Sequence, residues 1–400
     1  MSLNETPRAN QLHIGLFGRR NCGKSSLINA LTNQQIAVVS DVAGTTTDSV
    51  YKSMEIHGIG PCVFIDTPGF DDEGTLGNLR MEETKKASEK TDLALILFHK
   101  NAIDLECKWA KSFEQKNIPV VAVLSKSDCL TEEEQSELAL FINKQSGLRP
   151  IVCSVNNADS IEMLRNEIIE ALPSDYEKES ITGELAKPGD LVLLVMPQDI
   201  QAPKGRLILP QVQVLRELLD KKCFPVCTTA DTVDAALSSL SKAPDLIITD
   251  SQVFKSVYEK KPAQSKLTSF SILFAGYKGD LPYYLEGAKA IASLAPHSRV
   301  LIAEACTHAP LSEDIGREKL PRLLRQRIGN ELTVDIVSGV DFPKELHSYD
   351  LIIQCGACMF NRQYVLTRIG LAKKQSIPMT NYGVALAYLS GILDSIDYTI

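Results

Sequence analysis

The residues whose types and spacing carry the most chemistry are three cysteines and a histidine near the C-terminal end. Cys306-Thr-His308 is followed, after 46 residues, by Cys355-Gly-Ala-Cys358, and each arm ends an apolar run. Gathered into one pocket, they offer three thiolates and an imidazole, the donor set of a metal centre or a redox pair. Tetrahedral zinc is satisfied by Cys3His ligation with no further partner. A redox Cys355/Cys358 pair leaves Cys306 idle. An iron–sulfur cluster takes about four ligands, mostly thiolates, which leaves one iron to His308, Glu304, water or an external group. On the residues alone zinc and iron stand level. Gly356 is expected to allow the tight turn that aims two thiolates at one metal.

A second constellation lies near the start of the chain. Gly18-Arg-Arg-Asn21-Cys-Gly23-Lys24-Ser25 is a G-x-x-x-x-G-K-S loop between an apolar run, His13 to Phe17, and a helical stretch from Ser26 to Leu31. Gly18 and Gly23 let backbone N–H groups turn inward around phosphates, and the helix beginning at Ser26 favours an anion. Lys24 supplies charge to the β- and γ-phosphates, and Ser25 offers a hydroxyl to Mg2+. Further segments follow in the order a GTPase needs. Thr46, in Gly44-Thr-Thr-Thr-Asp48, supplies a second hydroxyl to Mg2+. Asp66-Thr-Pro-Gly69 places a carboxylate in the outer shell of the metal and a Gly69 N–H for the γ-phosphate. Ser125-Lys126-Ser127-Asp128 brings an Asp that accepts two hydrogen bonds from guanine, and Ser154, with Asn156, closes the base pocket. Lys24, Thr46 and Gly69 are the expected catalytic positions. Residues 10 to 172 on these motifs resemble a Ras-type GTPase of the TrmE-Era branch.

Two departures from that pattern bear on activity. Ser125 stands where the branch has Asn, and its shorter side chain predicts retained guanine selectivity with weaker nucleotide affinity. Phe70 stands where a Ras-like enzyme keeps a water-orienting Gln, which predicts slow intrinsic hydrolysis. Asn21 matches the loop Asn that helps hold K+ in potassium-stimulated members of the branch. Such an ion would add positive charge beside the phosphates. A purely loop-shaping Asn21 is the alternative.

These motifs need α/β elements to position them, and the rest of the chain supplies the pattern. A polar stretch, residues 174–190, reads as a linker after a GTPase domain over 1–173. Beyond it, short apolar strands alternate with helical segments, the signature of parallel sheets with helical crossovers. The expected fold class is α/β with three domains: an N-terminal Ras-like P-loop GTPase and two smaller parallel-sheet domains, 191–265 and 266–400. Both cysteine arms fall just past strand carboxyl ends, the edge where open α/β sheets build sites. Lys204-Gly-Arg206 lacks a surrounding phosphate loop and is read as a structural or subunit contact.

Composition narrows the class. The chain has 400 residues, 44% hydrophobic and 23% charged, with a net charge of −8. That balance argues against broad affinity for nucleic acid or anionic membrane. No apolar run approaches a bilayer span and no secretory leader precedes the first motif, so a cytoplasmic location is expected. Ten cysteines without such a leader point to a reducing compartment. Cys22, Cys62, Cys107, Cys129, Cys153, Cys223 and Cys227 are scattered, and most read as small buried hydrophobes, with a C-x3-C ligand pair at Cys223 and Cys227 as the alternative for those two.

Taken together, several stretches resemble the HydF family of [FeFe]-hydrogenase maturation GTPases. They are the phosphate loop, Gly44-Thr-Thr, Asp66-Thr-Pro-Gly69, Ala202-Pro-Lys-Gly-Arg206 continuing to Gln213, Cys306-Thr-His308, Asp341-Phe-Pro343, Cys355-x-x-Cys358 and Pro378-Met-Thr-Asn-Tyr-Gly383. The resemblance implies a GTPase domain, a dimerisation domain giving a homodimer, and a domain binding a [4Fe-4S] cluster. It makes Cys306, Cys355 and Cys358 the cluster thiolates and His308 a fourth-ligand candidate. It implies a scaffold that receives a di-iron precursor made with HydE- and HydG-type radical-SAM maturases and delivers it to apo-hydrogenase. GTP, Mg2+, the cluster and K+ are the implied cofactors. Gln354 stands where many members have His, which predicts a more open iron. A zinc-stabilised regulatory GTPase of the TrmE-Era branch is the alternative function.

Overall fold

The computed structural model describes residues 8–32, 49–56, 60–70, 74–99, 103–172, 180–196, 207–305, 314–339, 341–358 and 360–398. The chain forms two compact units, residues 1–178 and 179–400. In the first, β1 (Leu12–Gly18), β2 (Val50–Ile56), β3 (Gly60–Asp66), β4 (Leu93–Phe98), β5 (Val120–Leu124) and β6 (Ile151–Val152) make one sheet in the order β2-β3-β1-β4-β5-β6. β2 is antiparallel to β3 and the remaining pairs are parallel. Every residue of β1 and β4 is buried, because helices cover both faces of the parallel part. Leu16, Leu95 and Val123 face one core, and Phe17, Ile96 and Ala122 face the other. This sheet carries the phosphate loop at the end of β1 and the Asp66 turn at the end of β3.

In the second unit, β7 (Leu191–Val195), β8 (Phe224–Thr228), β9 (Leu246–Thr249) and β10 (Lys266–Ser269) form a parallel sheet in the order β10-β9-β7-β8. β11 (Arg299–Ala303), β12 (Thr333–Val337), β13 (Leu351–Gln354) and β14 (Met379–Asn381) form another, in the order β12-β11-β13-β14. The expected boundary at 265/266 is displaced: β10 pairs with β9, so the middle sheet runs through Ser269. One continuous core joins the two sheets, with Leu193 and Ile247 contributed by the first and Leu301, Ile352 and Met379 by the second. Helices Phe270–Lys278, Leu281–Lys289 and Tyr382–Leu389 pack within it. Among the described residues no helix is long and apolar enough to cross a membrane.

The stretch expected as a linker is structured over its second half. Ile181, Leu185 and Ala186 are buried in the core of the second unit. Glu217 anchors this entry segment, accepting from Ser180 Oγ at 2.8 Å, Ile181 N at 2.6 Å, and Thr182 N and Oγ1 at 2.9 and 2.6 Å. Burial opposes ionisation of Glu217, but these donors win and hold its carboxyl below the usual value. A depressed folded-state pKa adds stability above the unfolded-state value, and that stability is lost as pH falls through the folded value. Glu217→Gln is therefore expected to cost the C-terminal unit about 2 kcal/mol at pH 7, a fall of about 4–8 °C in Tm. The gap between variant and parent should close in progressively more acid buffer; thermal melts across pH check both halves.

Candidate functional site

The phosphate loop leaves β1 at Gly18 and enters helix Lys24–Thr32. Gly23 has φ of +94°, a conformation that L side chains rarely adopt, so glycine is required at this turn. Lys24 is buried, with its Nζ donating to the carbonyls of Gly18 and Arg19 at 3.0 and 2.8 Å, which keeps the ammonium on the loop. Ser25 Oγ donates to Asp66 Oδ2 at 2.5 Å, so the hydroxyl and carboxylate expected around Mg2+ are already together. The other carboxylate oxygen, Asp66 Oδ1, is buried and has no hydrogen-bond partner. An orphaned carboxylate oxygen beside Ser25 fits an outer-shell role toward hydrated Mg2+. Burial pushes the Asp66 carboxyl up, against Ser25, Lys24 and Lys52, which pull it down.

The residues expected to form the base pocket are also together. Asp128 Oδ1 accepts from Ser154 Oγ at 2.9 Å and Oδ2 from Asn156 Nδ2 at 3.1 Å. These donors, Ser154 foremost, hold the Asp128 carboxyl below its ordinary value. Lys126 adopts a left-handed φ of 55°, and its stem runs alongside Gly23. Ser125 does not simply lose contacts: its hydroxyl donates to Cys22 O in the phosphate loop at 2.7 Å and to Phe98 O at 3.1 Å. The tie from β5 to the loop survives the change from Asn. Asn21 sits at φ 57°, which Asn tolerates better than most residues, so it shapes the loop whether or not it meets an ion.

Gly69 lies against the loop; a Cβ there would come within 2.7 Å of Arg20 N. Phe70 points into the protein. It is 3% exposed, its ring 6.0 Å from that of Trp109, which in turn stacks on Phe17 at 5.6 Å. The hydrophobic residue at this position thus belongs to the core and plays no part in orienting water. Sequence reasoning passed over Arg19, which binds Asp104 at 2.7 Å and the buried Glu106 at 3.1 Å, tying the loop to helix Asp104–Glu114. Nothing in the local pattern ties an arginine to acids 85 and 87 positions away. Thr46 lies outside the described residues.

At the other end of the chain, β11 and β13 run side by side, with Ala303 opposite Gln354. Cys355 continues the ladder through its N–H to Ala303 O at 2.9 Å. Its sulfur accepts from Ala305 N at 3.0 Å and from Ala357 N at 3.4 Å. Ala305, the last described residue before Cys306, thus lies against Cys355 at the carboxyl end of the neighbouring strand. Cys306 and His308 themselves, with Lys204 and Arg206, lie outside the described residues. Burial raises the Cys355 thiol; the N–H groups of Ala305 and Ala357 and the Arg368 charge pull it down. Backbone N–H donors aimed at a sulfur suit a thiolate that carries metal charge. Neither Cys355 nor Cys358 is in a disulfide, and among the described residues no group of three metal-ligating side chains gathers. Glu304, one alternative iron ligand, is engaged by Arg317 at 3.0 Å and Ser338 at 2.9 Å.

Comparison with known families bears on both ends. The model for the hydrogen maturase F dimerization domain matches residues 181–279, and that for its tetramerization domain matches 282–396. A 50S ribosome-binding GTPase model matches 13–126. The chain belongs to the hydrogen maturase F family. Its GTPase part is similar to GTPase Der of Wolinella succinogenes, 33% identical over 42% of this chain and 37% of Der. It is also similar to the tRNA modification GTPase MnmE of Chromobacterium violaceum, 32% identical over 40% of this chain and 35% of MnmE. The chain thus spans little more than a third of the length of these curated relatives. An Aquifex aeolicus Era structure bound to GDP and aluminium fluoride covers 54% of this chain and 92% of its own, at 21% identity and TM-score 0.37.

Within the maturase F frame, one sequence expectation changes. Gly356 is not the residue that makes the cysteine turn; Ala357 carries the left-handed φ of 46°, and a Cβ on Gly356 would meet open space. Gln354 is 1% exposed with its Oε1 unpartnered, a buried amide at the base of the cysteine arm. Asp341-Phe-Pro343 also finds a role: the Phe342 ring lies 4.8 Å from the Arg368 guanidinium, which is clasped on its other side by Tyr364 at 4.6 Å. Cys223 and Cys227 do not form a pair, since Cys223 is buried with its thiol on Lys187 O at 3.2 Å and Cys227 is exposed.

Proposed function

We propose that the protein is a GTP-hydrolysing scaffold of [FeFe]-hydrogenase maturation. It binds a [4Fe-4S] cluster and passes a di-iron precursor of the hydrogenase active site to apo-hydrogenase. The observation that supports the cluster reading is the N–H of Ala305, the residue that precedes Cys306 in sequence, donating to Cys355 Sγ. Cys306, Cys355 and Cys358 supply the thiolates, with His308 available as a fourth donor. When bound, such a cluster supplies one iron with a position open to an external ligand. The chain's own part is to hold the thiolates and orient them through backbone N–H groups. HydE- and HydG-type enzymes are the proposed source of the precursor, and self-association through the dimerization and tetramerization domains the proposed assembly.

GTP hydrolysis belongs to the N-terminal unit, with Lys24, Thr46 and Gly69 around the γ-phosphate and Ser25, Thr46 and Asp66 around Mg2+. Binding of GTP orders the segments around Thr46 and Gly69, and hydrolysis releases them. This acts as timing of partner contacts and not as chemistry on the cluster. Phe70 makes the intrinsic rate slow, and K+ at Asn21 raises it. The rate in KCl is expected to exceed the rate in NaCl; equal rates remove the potassium ion from the proposal. The cluster is tested by anaerobic purification. About four iron and four sulfide per chain support it, whereas a colourless protein with one zinc moves the reading to a zinc-stabilised regulatory GTPase.

A further inference from the structure

Lys278 is a buried lysine, 3% exposed, at the end of helix Phe270–Lys278. Its Nζ donates to three carbonyls of one turn: Ala357 O at 3.4 Å, Cys358 O at 3.3 Å and Phe360 O at 2.8 Å. That turn carries both cysteines of the Cys355-x-x-Cys358 arm and is held at Ala357 in a left-handed conformation unfavourable to a residue with a Cβ. A second bond, Arg362 Nε to Tyr277 O at 3.1 Å, fastens the start of the following helix to the same helix end. The lysine lies in the stretch matched by the dimerization model, while the turn lies in the stretch matched by the tetramerization model.

We propose that Lys278 is the positioning residue of the cysteine turn. It gathers the carbonyls of 357, 358 and 360 so that the two sulfurs keep one spacing, and it places a fixed positive charge against the turn that carries them. A buried ammonium whose acceptors are the turn's own carbonyls is costly to place unless those bonds are kept, so it resists opening of the turn. Its charge favours electron-rich sulfur on the same turn. Because the helix that ends at Lys278 begins directly after β10, the geometry of the middle sheet is passed to the cysteines through one side chain. The electrostatic half of this inference rests on the cluster reading above; the structural half does not.

The test uses the full chain with Lys278→Met, of similar length but uncharged, and Lys278→Arg, which keeps the charge. In the metal-free protein, hydrogen–deuterium exchange at the amides of 356–361 is expected to quicken about tenfold in Lys278→Met and to return toward the parent rate in Lys278→Arg. Unchanged exchange in that turn overturns the proposal, as does an equal rise throughout 181–398, which would mean general loosening. Should Lys278→Met fail to fold, Lys278→Arg decides: turn exchange near the parent rate supports the clamp, and exchange tenfold faster overturns it. In the anaerobically reconstituted protein, Lys278→Met is expected to disfavour reduction of the cluster tenfold, about 59 mV for a one-electron couple. An unmoved potential overturns the electrostatic half. If the parent chain itself holds no iron and sulfide, the cluster reading falls, and the exchange experiment still judges Lys278.

Discussion

Asp128→Asn is expected to lower kcat/KM for GTP by about 10³-fold or more and to raise it for xanthosine triphosphate. Guanine presents two adjacent donors, the ring N–H and the exocyclic amine, and only a carboxylate accepts from both. An asparagine amide sets one of its own donors against a guanine donor, leaving buried polar groups unmatched. Xanthine carries a carbonyl in place of the amine and pairs with the amide instead. The carboxylate is already aimed by Ser154 Oγ and Asn156 Nδ2, at 2.9 and 3.1 Å, so the pocket needs little reorganisation to read either base. Steady-state kinetics with both nucleotides check the switch. A loss for GTP with no gain for the xanthine nucleotide, in a protein with an unchanged melt, would remove Asp128 as the base-reading residue.

Cys355→Ser is expected to strip the protein of iron and sulfide to roughly a tenth of the parent content or less, and to abolish hydrogenase activation. GTP hydrolysis should stay within about twofold of the parent, because the phosphate loop lies in a separate compact unit. The Cys355 sulfur is the one that receives both Ala305 N–H and Ala357 N–H. A serine oxygen is a harder ligand on a shorter bond, and it leaves those two donors poorly matched. Iron, sulfide and hydrolysis assays on one preparation are sufficient. Loss of both activities would report a folding defect, and full retention of iron would take Cys355 out of the ligand set.

What could be read from the sequence was what is local along the chain. The phosphate loop, Asp66 turn and Asp128 loop each act through a few consecutive residues whose backbone geometry their side chains dictate. β5 begins and ends where its apolar run does. Strand β2 was missed because only Ile56 of its seven residues is buried. Helices Phe270–Lys278 and Tyr382–Leu389 were missed for the opposite reason. Each lies inside the core, is apolar almost all round, and lacks the one-sided stripe that marks a surface helix. The place of β10 is set by its pairing with β9, which no periodicity announces. Lys278 was invisible for the same reason as Arg19. A single cation in the sequence says nothing about which distant acceptors close around it.

The Phe70–Trp109–Phe17 stack also gives the GTPase unit an optical reporter. Trp109 is the sole tryptophan of the chain, and its indole lies 6.0 Å from the ring that directly follows Gly69. Any nucleotide that draws Gly69 toward a γ-phosphate must strain or shift that neighbouring ring. Trp109 emission excited at the red edge of tryptophan absorption should therefore differ between GDP and a non-hydrolysable GTP analogue, with no label attached. The trace through a single turnover would time the loop movement itself.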